Sequence, residues 1–157
     1  VAMITPFNKN AEIDFPALEK ITQHILNNGV EYLVVLGTTG ESVTLNSKEK
    51  QEIFEAVKKA NTNKKPLVAG IGGNYTDEIV KQLKSFDFSE IDAVLSVSPY
   101  YNKPTQEGIY QHYMKLADAS PKPIILYNVP GRTGSNMSAD TTLKLSNHPN
   151  IIGIKEA

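Results

Sequence analysis

The stretch PIILYNVPGRTGSNMSADTTLKLSNHPNIIGIK, residues 123–155, holds one structural unit between two apolar runs. PIILY (123–127) and IIGIK (151–155) are continuous rather than strictly alternating, as expected of parallel strands covered on both faces. Between them lies a loop with one Pro and two Gly, NVPGRTG (128–134), and a short helical segment carrying Leu143 and Leu145. Strand, loop, helix and strand again make a βα repeat.

The rest of the chain repeats that unit. AMIT (2–5), YLVVL (32–36), PLVAG (66–70) and AVLSV (93–97) bring the runs to six, with centres about 30 residues apart. Helical stripes fill the gaps. Phe15, Leu18, Ile21 and Ile25 form one, ended by Gly29 at a C′ position. Ile53, Phe54 and Val57 form another, started by Asn46 with Glu49 at capping-box spacing. Ile79, Val80 and Leu83 follow Thr76 in a third, and Ile109, Tyr113 and Leu116 make a fourth. Such alternation means a parallel α/β sheet with right-handed crossovers.

Two folds compete, a doubly wound sheet and a (β/α)8 TIM barrel. A dinucleotide-binding sheet wants G-x-G-x-x-G after its first strand, and TPFNKNAEI (5–13) has nothing like it. GIGGN (70–74) reads as a tight turn. Even spacing over six runs favours the barrel. Six units cannot close eight strands, so residues 1–157 are expected to be the N-terminal part of a TIM-barrel catalytic domain. The first six strands are present, and the last two βα units and C-terminal helices are missing.

Composition narrows the function. With 16 basic and 17 acidic residues the net charge is -1, and no basic block offers the concentrated positive surface that nucleic acid needs. The absence of cysteine excludes disulfides, thiolate nucleophiles and Cys-ligated metal, and suits a reducing compartment. No apolar run approaches the roughly 20 residues that span a bilayer. VAMITPF (1–7) resembles neither a signal nor a transit peptide. His24, His112 and His148 show no metal-ligand spacing and are expected at the surface or at helix ends.

In a barrel, chemistry sits where strands end, and the unusual polar residues fall there. GTTGES (37–42) lacks a P-loop lysine. Its backbone amides with Thr38 and Thr39 suit a small anion, or simply a tight turn, and Glu41 reads as a hydrogen-bonding partner rather than a base. Lys155 ends a core strand. Burial disfavours an ammonium and promotes the neutral amine, the form that attacks carbonyls; the alternative is a lysine reaching solvent beside Glu156. Tyr127, Tyr101 and Thr38 end other strands and could relay protons to such an amine, or be core and rim residues. Arg132 offers a donor fork to a carboxylate, or a surface ion pair.

Taken together, GTTGES, SPYYNKP (98–104), YNVPGRTG (127–134) and GIKEA (153–157) resemble the motifs of the dihydrodipicolinate synthase (4-hydroxy-tetrahydrodipicolinate synthase) family of class I pyruvate-dependent aldolases. The resemblance spans essentially the whole chain. It implies that Lys155 is the Schiff-base lysine, Tyr127 the proton-shuttling tyrosine, and Thr38 the middle of the hydroxyl relay. It assigns Tyr101, following Tyr100, to a relay across a subunit interface. Thr39 would grip the pyruvate carboxylate and Arg132 the carboxylate of the aldehyde. The implied reaction joins pyruvate and L-aspartate 4-semialdehyde on the diaminopimelate route to lysine. It needs no cofactor or metal and occurs in a cytoplasmic homo-oligomer, a dimer of dimers. N-acetylneuraminate lyase shares the lysine and first tyrosine. It resembles the chain less, having Ser in place of Thr38 and lacking both Arg132 and the YYN run.

Overall fold

Helix α1 (Phe15–Asn27) starts where the Asp14 carboxylate accepts the Ala17 N–H at 2.9 Å, with Pro16 in its first turn. It buries Leu18, Thr22 and Leu26, three residues spaced by four. A threonine is tolerated on that face because its hydroxyl donates to the Leu18 carbonyl at 2.8 Å. The expected stripe is therefore displaced: Ile21 and Ile25 are only half-buried, and Phe15 is 36% exposed. Gly29 follows at φ +80°, where a glycine ends a helix without strain.

The computed structural model describes residues 1–157 in two units, Val1–Gly70 and Ile71–Ala157. In the first, β1 (Leu33–Val35) pairs in parallel with β2 (Leu67–Gly70), with Leu33 opposite Leu67. Helix α2 (Ser47–Ala60) packs against α1. Its capping box is complete: Asn46 Oδ1 accepts the Glu49 N–H at 3.0 Å, and Glu49 Oε2 accepts the Asn46 N–H at 2.8 Å. Ile53, Phe54 and Val57 are buried beneath it, as their spacing predicts. The first apolar run forms no strand of its own. Ala2 makes a single parallel bridge to Val34, and the ladder goes no further because β1 ends at Val35: Leu36, opposite Ile4 in that register, turns to φ +59°.

In the second unit β3 (Ala93–Val97), β4 (Ile124–Asn128) and β5 (Ile151–Glu156) run parallel in chain order. Neither unit shows the reversal of order that a doubly wound sheet requires. Five strands form in all, against the six expected. Helix α3 (Thr76–Ser85) packs on α4 (Gln106–Ala119), and α4 packs on α6 (Ala139–Leu145). Ile109, Tyr113 and Leu116 are fully buried, as expected. Leu143 is not: it stands 68% exposed while Leu145 is buried, because residues two apart lie on different helix faces.

His112 also departs from expectation. It lies inside α4 at 3% exposure, with Nδ1 2.9 Å from the Thr76 hydroxyl, and burial lowers its pKa to about 4. His24, in the last turn of α1, is exposed as expected. His148 is half-buried after α6, with Nε2 3.1 Å from the Asp118 carboxylate.

Candidate active site

The ends of β4 and β5 meet at one pair of residues. Tyr127 and Lys155 are register partners, and the Lys155 Nζ lies 4.4 Å from the centroid of the Tyr127 ring. Tyr127 is 5% exposed, so its ring is a fixed wall for the amine. Lys155 itself is half-buried rather than buried. The sequence suggests a hydroxyl near the lysine; the structure brings a ring face to it.

The backbone around Tyr127 is held from two sides. Its carbonyl accepts the Ser98 N–H at 2.9 Å. On the neighbouring strand, Tyr113 donates its hydroxyl to the Ser96 carbonyl at 2.9 Å, opposite the residue preceding Tyr127. Burial pushes the Tyr113 phenol upward, which keeps it a neutral donor.

Two residues within the motifs, to which the sequence assigned no site role, complete this ladder. Asn128, 2% exposed, donates through Nδ2 to Glu156 Oε2 at 2.9 Å and to Asn136 Oδ1 at 2.7 Å, and accepts the Met137 N–H at 3.0 Å. Glu156 therefore faces Asn128, not Lys155. The signal in the sequence is adjacency: each polar residue directly follows one of the site pair, and side chains alternate along a strand.

The loop after β4 is more ordered than its glycines suggest. Pro130–Thr133 forms a short helix, α5, with Pro130 at its start. Gly134 at φ +73° ends it, donating its N–H to the Pro130 carbonyl at 2.9 Å. Gly131 lies within the helical turn and is not required for a tight one. Arg132 is exposed on this turn.

Tyr101 lies beside it through the backbone, its N–H donating to the Thr133 carbonyl at 3.3 Å. Its ring stands 88% exposed, and its φ of +74° is a strained value for an aromatic residue. In this unit, then, Tyr127 is the tyrosine brought to Lys155.

Thr38 and Thr39 belong to the first unit. They begin a 3₁₀ turn, Thr38–Gly40, and both are exposed. The expected nest is half used: the Gly40 and Glu41 amides donate to the Gly37 and Thr38 carbonyls, each at 3.0 Å. Only the first amides of the turn lack an intrahelical acceptor. Glu41 acts through its backbone, at φ +52°, its carbonyl accepting both the N–H and hydroxyl of Thr44 at 2.9 Å. No three His, Asp or Glu side chains group as metal ligands, and no helix is long and apolar enough to cross a membrane.

Comparison with known proteins gives this geometry its context. The 4-hydroxy-tetrahydrodipicolinate synthase of Flavobacterium psychrophilum is 58% identical over 158 aligned residues, covering 100% of this chain and 54% of that protein. The Porphyromonas gingivalis synthase is 50% identical, over 100% of this chain and 53% of its own. Among solved structures, the Acinetobacter baumannii dihydrodipicolinate synthase complexed with pyruvate superposes with a TM-score of 0.94 at 44% identity. That match covers 99% of this chain and 54% of the other. The Thermotoga maritima enzyme gives 0.94 at 43%, covering 99% and 53%. The chain spans about half the length of the relatives it matches. Its five parallel strands and their helices resemble part of a TIM-barrel catalytic domain. The model of the dihydrodipicolinate synthetase family matches residues 1–157, and the chain belongs to that family.

Proposed function

We propose that the protein carrying this chain condenses pyruvate with L-aspartate 4-semialdehyde through a Schiff base on Lys155, giving 4-hydroxy-tetrahydrodipicolinate for lysine synthesis by the diaminopimelate route. The observation that carries the reading is the Lys155 amine held 4.4 Å from the centre of the Tyr127 ring, with the two residues in register. Family membership at this identity supports it.

In this reading the neutral amine adds its lone pair to C2 of pyruvate, and the carbonyl oxygen takes up a proton. The carbinolamine then loses that hydroxyl as water while nitrogen gives up its remaining protons, leaving a C=N bond. Tyr127 carries these protons, in a relay with Thr38 and with Tyr101 from a second copy of the chain. The exposure of Tyr101 and its strained backbone favour a ring committed to such a contact. Thr39 holds the pyruvate carboxylate, and Arg132 that of the semialdehyde. The assembly is a homo-oligomer, a dimer of dimers, working in the cytoplasm without a cofactor.

Borohydride reduction of the intact protein with pyruvate tests this directly. A reduced adduct mapped by mass to Lys155 is expected. Trapping on another lysine, or none, rejects the assignment. N-acetylmannosamine in place of the semialdehyde is expected to give no condensation.

A further inference from the structure

The ladder between β4 and β5 is not a simple one. Ile124 pairs with Ile151, but Ile125 pairs with Gly153, so Ile152 is an extra residue in β5. From there the pairing continues through Leu126 with Ile154, Tyr127 with Lys155, and Asn128 with Glu156.

That bulge decides which side chain stands beside Tyr127. Without it, Ile125 would pair with Ile152, and each later partner would move back by one. Ile154 would then oppose Tyr127, and Lys155 would oppose Asn128. Because strand side chains alternate with period two, this slip also sends the lysine to the other face of the sheet. Bulges commonly re-aim a side chain in this way.

We propose that Asn128 and Glu156 form a clamp that holds this bulged register and so positions the Lys155 amine against Tyr127. The Asn128 carboxamide is buried and spends both N–H groups, on Glu156 Oε2 at 2.9 Å and on Asn136 Oδ1 at 2.7 Å. Its oxygen accepts the Met137 N–H at 3.0 Å, which fixes the amide's orientation. The Ala157 N–H donates to the Asn128 carbonyl at 3.1 Å, continuing the same register. In the slipped register Glu156 would oppose Val129, past the end of β4, and its carboxylate would lose the Asn128 donor. The clamp therefore distinguishes the two registers by a charge-assisted hydrogen bond present in only one. Asn128 and Glu156 are positioning residues that touch no substrate; the chemical consequence rests on the aldolase reading.

Two readouts separate the clamp from that reading. The first needs no substrate. In the intact protein with carbon-labelled lysine, the ε-methylene of Lys155 is expected upfield, shifted by the Tyr127 ring current. Glu156→Ala, at an exposed residue, is expected to lose that shift while keeping the far-ultraviolet circular dichroism of the parent. Glu156→Gln keeps an oxygen to accept from Asn128 and is expected to retain it. The second readout is the rate of borohydride trapping with pyruvate. It is expected to fall about 10- to 100-fold in Glu156→Ala, in line with the loss of one hydrogen bond to a charged group, and to recover in large part in Glu156→Gln, whose neutral amide oxygen still accepts from Asn128. A parent-like ring shift in Glu156→Ala overturns the clamp. So does equal loss in the Ala and Gln variants, which would mean that the charge matters and the hydrogen bond does not. If the shift collapses in Glu156→Ala while the parent traps no pyruvate, the clamp stands and the aldolase reading fails.

Discussion

A β-carbon on Gly70 would stand 2.2 Å from the carbonyl oxygen of Leu36. The end of β2 thus lies flush against the end of β1, where Leu36 takes the left-handed φ of +59° to lead the chain into Thr38 and Thr39. A non-glycine residue there costs about 1–2 kcal/mol, and the close backbone approach fixes the turn that follows.

Gly70→Ala is therefore expected to destabilise by about 3 kcal/mol or more, since the obstructing atom is backbone and has no rotamer to move to. Gly131→Ala is the contrast. Nothing lies within 4 Å of its β-carbon and its conformation is helical, so a gain of roughly 0.4–1 kcal/mol is expected. Denaturant unfolding of both variants checks the pair. Similar behaviour of the two would contradict it.

Lys155→Ala and Lys155→Arg are both expected to abolish the pyruvate adduct. Arginine keeps the charge over the Tyr127 ring but stays protonated, so it has no lone pair to add to a carbonyl. Mass analysis after borohydride treatment distinguishes a reacting amine from a merely cationic one. An adduct surviving in either variant would place the chemistry elsewhere.

Tyr127→Phe keeps the ring that walls the amine and removes only its hydroxyl. A fall in kcat of roughly 10²–10⁴-fold is expected, with a much smaller change in pyruvate affinity. Unchanged kcat would leave Tyr127 as packing alone.

Local signals were the legible ones. Asn46 and Glu49 are three residues apart and bond each other directly, so their spacing alone announced the start of α2. Gly29 at the end of α1 was equally local. What spacing could not show was which of two neighbouring faces a helix buries. Ile21 and Leu18 share one apolar arc, and only packing on α2 makes Leu18, Thr22 and Leu26 the inner set. Nor could composition reveal that His112 is buried, because its partner Thr76 lies 36 residues away on another helix. In the candidate site, motifs pointed to Lys155 and Tyr127, which the structure places in register. The bulge at Ile152 that aligns them leaves no trace in an apolar run, since IIGIK reads alike in either register.

His112 gives the protein an acid limb. Its folded pKa of about 4 lies below the ordinary 6.5, because burial disfavours the imidazolium. Between those values the unfolded chain binds a proton that the folded chain does not. Stability is therefore complete above the ordinary value and is lost as pH falls toward 4, by on the order of 3 kcal/mol. Thermal unfolding from pH 7 to 4 is expected to show this slope, and His112→Gln, which cannot titrate, to reduce it. An identical slope in the variant would assign the acid sensitivity to other groups.

Arg132 supplies the last prediction, on selection of the second substrate. It stands exposed on α5, whose ends are set by Pro130 and Gly134, so its guanidinium is carried by a fixed turn although water reaches it. A carboxylate at the far end of an aldehyde substrate can accept both prongs of that fork. Because the pair is only partly desolvated, its loss is expected to cost about 1–2 kcal/mol, below the range for a buried pair. Arg132→Leu should then raise the semialdehyde KM roughly 5- to 30-fold. Borohydride trapping with pyruvate alone should stay near normal, since that step involves Lys155 and no second carboxylate. Arg132→Lys tests the geometry: an ammonium keeps the charge but not the planar fork, and only partial recovery of KM is expected. Equal impairment of pyruvate trapping and semialdehyde KM would make Arg132 a general structural residue of the loop, with no role in recognising the aldehyde.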